Sequence, residues 1–317
     1  MKTKLWLALL SLYIVWGSTY LAIRFTVETM PPFLHAALRF LVSGLILFVW
    51  RRAAGDEMPT VSNWKSTAIV GTFLLLGGNG LVGLAEKSVP SGIAALMIST
   101  SPFWLVLFES LRARGTKPTW QSILGLVIGF GGVFLLIGPA EFTGSGQKFD
   151  TFGVILLLIA PVLWSLGSIY ARGADMPKST LMSTGMQMLA GSVGLFIVSV
   201  ATGELHGFSF GQVSLRSWEG LIYLITIGSL VGFVSYGWLI HNAPVSLFST
   251  YAYVNPVVAV FLGWLLAHEP LNARTIVASA IIIGSVIYIN LARQAAERKS
   301  RVQQSSLSEK SVAAGSE

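Results

Sequence analysis

The chain of 317 residues is 53% hydrophobic and only 11% charged, with no cysteine and a formal net charge of +7. Soluble domains carry about 25% charged residues, whereas the apolar runs here reach the roughly 20 residues that a helix needs to cross a bilayer. This composition predicts an all-α integral membrane protein in a lipid bilayer, and the absence of cysteine excludes disulfides and Cys-ligated metals. The positive charge does not indicate nucleic-acid binding, because Lys and Arg lie in short loops and the C-terminal tail.

The apolar runs predict ten transmembrane helices, at residues 5–24, 33–50, 66–85, 91–110, 121–139, 152–171, 181–202, 218–240, 245–267 and 274–292. Ten spans place both termini on one side, and the excess of Lys and Arg in the loops on that side predicts that it is the cytoplasm. A signal peptide is the alternative for the first span, but its apolar run continues to Phe25 without an evident cleavage site. Residues 293–317 are polar and lack aromatics, which predicts a disordered cytoplasmic tail.

The chain contains an internal duplication. The stretch LYIVWGSTYLAIRF (12–25) is similar to PVLWSLGSIYARG (161–173), and VPSGIAALMISTSPFWLVLF (89–108) is similar to APVSLFSTYAYVNPVVAVFL (243–262). The duplication predicts two five-helix repeats, residues 1–140 and 141–292, and an odd number of spans inverts the second repeat in the membrane. Inverted repeats with a solute site at their interface are a transporter architecture.

These motifs, together with HAALRFLVSG (35–44) and NPVVAVFLGWLLAHEPL (255–271), resemble the EamA-type members of the drug/metabolite transporter superfamily. The resemblance covers both halves of the chain. It implies a bacterial inner-membrane permease, often an exporter of amino acids or other small metabolites, and is weak on the substrate. His268 stands where the family usually has Gly before Glu-Pro-Leu, in a peripheral loop.

The first and sixth helices carry the same interruption of an apolar run. Polar side chains inside a span are costly unless they face protein or a water-filled cavity. We therefore expect aromatic and hydroxyl residues to line a central cavity between the repeats, with the alternative that the hydroxyl residues serve close helix packing. The candidate solute contacts in these helices are Trp16, Ser18, Thr19, Trp164 and Ser165.

The fourth and ninth helices carry a proline at matching positions, Pro102 and Pro256. A proline inside a helix removes a backbone hydrogen bond and kinks it, so both positions are predicted hinges. The neighbouring Ser101, Tyr251 and Asn255 are further candidate solute contacts. The alternative is that membrane helices simply tolerate these prolines.

Arg39 is the strong charge that lies well inside a predicted span. It is a candidate to bind a substrate carboxylate in a bidentate fork, or to serve the structure or a gate by pairing with helix carbonyls. Gln187 holds the matching position in the second half, and Asn79 is a further interior amide. Both are included among the candidate solute contacts.

Carboxylates and histidines all map to loops or helix ends, which predicts a facilitator, since proton-coupled carriers usually hold such a group within a span. The alternative is that Glu86 or Glu109 lies within a span and couples transport to protons. The chain has no acid-rich diphosphate motif, no GxSxG and no phosphate-binding loop. We therefore expect no enzyme activity, cofactor or metal, although a polytopic membrane enzyme is an alternative. The expected aromatic lining and the single arginine suggest amino acids or small organic acids as solutes, moved by a monomer or weak homodimer. Hydrophobic drugs or cations are the alternative solutes.

Overall fold

The computed structural model describes residues 2–111, 120–137, 150–242, 251–289, 291, 292 and 295. Every regular element in these residues is helical, as predicted. Residues 245–250 of the ninth predicted span lie outside the described residues. The predicted tail, 293–317, also lies outside them, apart from residue 295.

The described residues contain seven helices that are long and apolar enough to cross a membrane. They also contain three shorter apolar helices. Each of the ten predicted spans overlaps one of these helices. The membrane-protein fold is therefore confirmed, while the count of ten crossings remains a prediction. In chain order the helices are α1 (Lys2–Thr26), α2 (Pro32–Ala53), α3 (Val61–Ala85), α4 (Ser91–Leu111), α5 (Trp120–Ile137), α6 (Thr151–Ala171), α7 (Thr180–Ala201), α8 (Leu215–Tyr223, continued by Leu224–Val231 and Gly232–Asn242), α9 (Tyr251–Ala267) and α10 (Ala273–Ile289).

Several helices begin at a polar residue that caps their free backbone N–H groups. Thr60 and Asn63 form a reciprocal capping box at the start of α3, with both hydrogen bonds at 3.1 Å. The side chains of Asp150, Ser179 and Ser214 accept hydrogen bonds from the first turns of α6, α7 and α8. Each cap marks where the chain turns back into the bundle.

Helices α2 and α4 follow a proline and have no side-chain cap of their own. Carboxylates from the second half of the chain supply the acceptors instead. Glu204 accepts from the backbone N–H groups of Phe33 at 3.1 Å and Leu34 at 3.0 Å. Glu269 accepts from the backbone N–H of Ser91 at 2.6 Å and of the next residue at 3.0 Å. The same end of both helices is thus tied to the other half by a charge-assisted cap.

Most of the helix packing joins the first half of the chain to the second. Helix α2 packs along α7, α1 packs against α8 and α9, and α6 packs against α3 and α4. These contacts come in matched pairs, because α1 with α9 corresponds to α4 with α6, and α1 with α8 corresponds to α3 with α6. That pattern is the one expected of two similar units packed face to face.

Glycine makes the α2–α7 contact unusually close. A Cβ atom on Gly44 would lie 2.8 Å from the Cβ of Met188 and 2.9 Å from the carbonyl oxygen of Gly185. A Cβ on Gly185 would in turn lie 3.1 Å from the Cβ of Leu47. Small residues at such positions let membrane helices approach backbone to backbone. We refer to this contact as the α2–α7 seam.

Candidate solute-binding cavity

A cavity of about 190 Å³ lies between the two halves of the chain. Its wall is formed by parts of helices α1, α2, α3, α4, α6, α8 and α9. Most of the residues that the sequence singled out meet there: Trp16, Thr19, Arg39, Asn79, Ser101, Pro102, Trp164, Tyr251, Asn255 and Pro256. The structure therefore joins motifs that are up to 240 positions apart in the chain into one site.

The two tryptophans occupy equivalent places, each against a glycine of the other half. The indole of Trp164 lies on α3 where a Cβ atom on Gly78 would be only 2.8 Å from its Cε3 atom. The indole of Trp16 lies on α8 at Gly232, where a Cβ would also be closer than a normal contact. The absence of a side chain at each glycine thus gives each ring its place in the cavity wall.

Both glycines lie in or beside a π-helical segment. These segments, Thr72–Gly80 in α3 and Leu224–Val231 in α8, lie at corresponding points of the two halves. Asn79 lies in the first one, and its Nδ2 donates to the carbonyl oxygen of Leu74 at 3.3 Å, five residues earlier. Short π-helical segments occur frequently at functional sites because they shift the side chains that follow.

One wall of the cavity is aromatic. The ring centroid of Trp16 lies 5.4 Å from Phe233, 5.2 Å from Tyr236 and 5.4 Å from Tyr251. Two of these pairs are edge-to-face, an arrangement that adds to the stability of aromatic packing. The cluster joins α1, α8 and α9 and holds the Trp16 ring from three sides.

Helix α4 is interrupted at Pro102. The regular segments Ser91–Ile98 and Ser101–Leu111 are separated by two residues, and proline cannot donate to the carbonyl oxygen of Ile98. The Ser101 hydroxyl donates to that oxygen instead, at 2.6 Å. The carbonyl oxygen of Ile98 therefore has a hydrogen-bond donor despite the proline. Pro102 and Ser101 both line the cavity.

Pro256 differs from Pro102, since α9 continues through it from Tyr251 to Ala267. In the amide orientation that satisfies its hydrogen bonds, Asn255 donates through Nδ2 to the carbonyl oxygens of Tyr251 and Tyr13, each at 3.2 Å. The second of these bonds links α9 to α1. A hinge at either proline remains a prediction. Of these two helices, only α4 has a break, between Ile98 and Ser101, just before Pro102.

Arg39 is 4% exposed and lines the cavity from α2. Its Nε donates to the hydroxyl of Ser229 in α8 at 3.0 Å, and its guanidinium carbon lies 4.8 Å from the ring centroid of Phe40. None of the ion pairs in the described part of the chain includes Arg39. The buried guanidinium is thus held in place by a hydroxyl group, and no carboxylate of the described residues forms an ion pair with it.

The structure does not bring two of the predicted hydroxyl residues to the cavity wall. The hydroxyl of Ser18 lies 2.6 Å from that of Tyr223 and also bonds the backbone of its own helix. Ser165 is fully buried and donates to the carbonyl oxygen of Ser101 at 3.0 Å. Both tie helices together, which is the packing alternative raised for them.

Gln187, the counterpart of Arg39, also lies away from the cavity. Its Nε2 donates to the hydroxyl of Ser183 at 3.0 Å, within α7. The backbone carbonyl oxygen of Gln187 lies 2.5 Å from where Gly71 of α3 would carry a Cβ atom. The polar groups of α2 and α7 are therefore unequal, because only Arg39 reaches the cavity.

The cavity also includes residues outside the set of candidate solute contacts: Tyr20, Ile23, Phe40, Gly78, Val82, Ala95, Ile98, Ser99, Leu105, Ala160, Pro161, Phe233 and Ala252. Helical spacing contains a signal for some of them. Tyr20 follows Trp16 by four residues and so lies on the same helix face. Most of the others are apolar, and an apolar residue in a membrane helix carries no mark that separates a cavity from a lipid or protein contact.

A bundle of membrane-length helices around a polar and aromatic cavity at the interface of two halves is the architecture of a membrane transport protein. Comparison with known families supports this class, because the EamA-like transporter family matches residues 3–138 and again residues 151–291. The chain therefore belongs to the EamA-like transporter family.

Individual relatives are also transporters by name. The chain is 36% identical over 290 residues to the uncharacterised inner membrane transporter YedA of Escherichia coli K12, covering 90% of both chains. It is 23% identical to the uncharacterised transporter YvbV of Bacillus subtilis, covering 91% of this chain and 92% of YvbV. A protein of known crystal structure shares the fold, with a TM-score of 0.62 at 22% identity over 91% of this chain and 97% of its own. These names point to a transporter rather than an enzyme.

Proposed function

We propose that this transporter is a permease of the bacterial inner membrane that exports amino acids or related small organic solutes. The observation that carries the proposal is Arg39, a buried guanidinium on the cavity wall that takes part in none of the ion pairs of the described residues. A buried charge is stable only when other groups compensate it. A carboxylate on the solute would do so with charge-assisted hydrogen bonds to the guanidinium.

The rest of the wall fits a solute of this kind. A cavity of about 190 Å³ is smaller than the roughly 300–1,000 Å³ that drug-sized ligands occupy. Amide and hydroxyl groups of Asn79, Asn255 and Ser101 lie around it, next to the aromatic faces of Trp16 and Trp164. Such a mixed lining suits a small solute that has both a polar and an apolar part.

The proposed mechanism is alternating access by two inverted repeats, with both termini in the cytoplasm. The family match to two successive regions of the chain supports the repeats. The matched helix contacts across the two halves support a central site that each half can close from one side. Export is the direction implied by the family resemblance.

A second candidate function, export of hydrophobic cations or drugs, is favoured by the aromatic wall around Trp16. Aromatic faces attract cations at distances up to about 6 Å. Arg39 opposes this candidate, because a second positive charge in the same small cavity is repelled. The two candidates thus differ in the sign of the charge that the cavity accepts.

Counterflow in proteoliposomes, with a panel of radiolabelled amino acids and no ion gradient, tests the proposal. Arg39→Gln removes the charge while keeping a polar side chain, and hydrogen bonds to a charged group are worth about 1.5–3 kcal/mol. We expect it to weaken exchange of carboxylate-bearing solutes by about tenfold to a hundredfold. Trp16→Ala and Asn255→Ala should weaken exchange of every transported solute.

Matched controls separate the charge from general damage. Arg39→Lys keeps the charge and should retain partial exchange, and Arg51→Gln alters an arginine on the same helix that pairs with Asp56 outside the cavity. Tetraphenylphosphonium serves as the cation probe. Exchange of this cation together with unchanged amino-acid exchange by Arg39→Gln would reject the carboxylate proposal in favour of the second candidate.

A further inference from the structure

A carboxyl group lies buried at the end of α3, next to the cavity wall. Glu86 is the first residue after this helix, and its side chain is 0% exposed. Neither of its carboxylate oxygens has a hydrogen-bond partner among the described residues. An ionised carboxylate in such a place lacks the donors that would stabilise it. The position is a helix end, as expected from the sequence, but the side chain is not accessible to solvent.

Charged groups from three parts of the chain surround Glu86. Arg24 of α1 donates a hydrogen bond to the backbone carbonyl oxygen of Glu86 rather than to its carboxylate. Burial, followed by the negative charge of Glu269, raises the pKa of Glu86 well above its usual range, and the positive charges of Arg24 and Arg39 act in the opposite direction. Tyr20 on α1 also interacts electrostatically with this carboxylate.

The two other acidic groups of this region already have donors. Glu269 accepts hydrogen bonds from the backbone and hydroxyl of Ser91 and from the next backbone N–H. Asp150 accepts from the Ser88 hydroxyl at 2.8 Å and from the first turn of α6. His35 of α2 is buried close to α3, and its Nδ1 has no partner among the described residues. Only Glu86 combines full burial with a carboxylate that no described group binds.

We propose that Glu86 is a proton-binding site that is linked to solute binding at Arg39. The inference rests on the proposed function, because the link requires a solute that carries a carboxylate. Arg39 then has two alternative counter-charges, the carboxylate of the solute and the carboxylate of Glu86. When the solute is bound, Glu86 holds a proton; when the solute leaves, Glu86 releases the proton and its negative charge compensates Arg39.

This linkage sets the direction of coupling. Because the proton and the solute favour each other's binding, they cross the membrane together. Net export then proceeds when the outward solute gradient exceeds the inward proton gradient. The protein would therefore export a solute only after it has accumulated in the cell. The facilitator expected from the sequence would show no such dependence.

Infrared titration of the purified full-length protein tests the proton site without any solute. The carbonyl stretch of a protonated, buried carboxylic acid should be present on the acidic side of the titration and disappear as the pH rises, when Glu86 becomes the counter-charge of Arg39 in the solute-free protein. The band should be absent in Glu86→Gln and retained in Glu28→Gln, a control whose exposed side chain pairs with Arg216. Arg39→Gln should move the loss of the band to higher pH, because it removes a positive charge that favours ionised Glu86. A wild-type protein without this band would overturn the proposal.

Proteoliposomes with an acidic outside test the coupling. With one proton per solute, one pH unit sustains about a tenfold solute accumulation inside. Glu86→Gln, which mimics the protonated group, should keep counterflow and lose the accumulation, whereas Glu28→Gln should keep both. Glu86→Asp retains a titratable group and should retain accumulation with a shifted pH dependence, which covers the case in which the glutamine variant fails to fold.

The outcomes distinguish the two proposals. Full accumulation by Glu86→Gln would reject the proton site even when the solute class is right. Absence of exchange for the whole amino-acid panel would reject the proposed solute class, and the infrared band would still decide whether Glu86 binds a proton.

Discussion

The contact between Trp164 and Gly78 leads to a quantitative prediction about how the cavity wall is built. In Gly78→Ala the new methyl group would lie 2.8 Å from Cε3 of the indole, and a rigid ring can give way only by moving as a whole. Overpacking of this kind costs about 1–3 kcal/mol. Replacing glycine by alanine in a helix also gains up to about 1 kcal/mol, so a control must carry the same gain.

Gly131→Ala provides that control. Gly131 lies inside helix α5, and a Cβ atom there would meet nothing within 4 Å. We expect Gly78→Ala to be less stable than Gly131→Ala by about 1–3 kcal/mol, measured by denaturant unfolding in detergent. Adding Trp164→Phe to Gly78→Ala should recover part of the loss, because neighbours in contact couple by about 0.5–3 kcal/mol. Equal stability of the two alanine variants, or strictly additive effects in the double variant, would refute the proposed contact.

Three further variants test the polar contacts described above. Glu204→Gln weakens the cap on the first turn of α2 and should cost about 0.5–2 kcal/mol in unfolding experiments; an unchanged stability would contradict the role of this cap. Ser101→Ala leaves the carbonyl oxygen freed by the proline without a donor and should cost about 1–3 kcal/mol, whereas Ser110→Ala, which removes a similar bond from an uninterrupted turn, should cost less in the same assay. The hydrogen bond from Arg51 lowers the pKa of Asp56, so this pair adds stability above about pH 4 and loses it as the pH falls, a dependence that Asp56→Asn should abolish in unfolding measured against pH.

The helices and the place of the cavity follow from local features of the sequence. Long apolar runs predict each helix because the bilayer leaves few alternatives for the backbone. The repeated interruption around Trp16 and Trp164 lies at the cavity wall, since polar groups inside a membrane protein collect where helices face each other. Ser18 is not in the cavity wall, and helical geometry explains its position. At 100° per residue, Ser18 points about 200° away from Trp16, while Thr19 lies on nearly the same face.

Other features depend on contacts between distant segments and leave no local pattern. The surroundings of Glu86 include two other segments, because Arg24 of α1 donates to its backbone carbonyl oxygen and the charge of Glu269 raises the pKa of its carboxyl group. The bond from Asn255, next to Pro256, across to Tyr13 of α1 is likewise a contact between distant segments. A sequence shows which residues are polar but not which of them find a partner.

The α2–α7 seam limits how the two halves can move. With Gly44 and Gly185 in near contact, the backbones of these helices leave no layer of side chains that can slide or repack. In the proposed alternating access, we expect the two halves to rotate about this seam, which stays in contact while the rest of each half moves. Spin labels placed along the seam should keep their separation through the transport cycle, and the largest displacements should occur at the helices furthest from it.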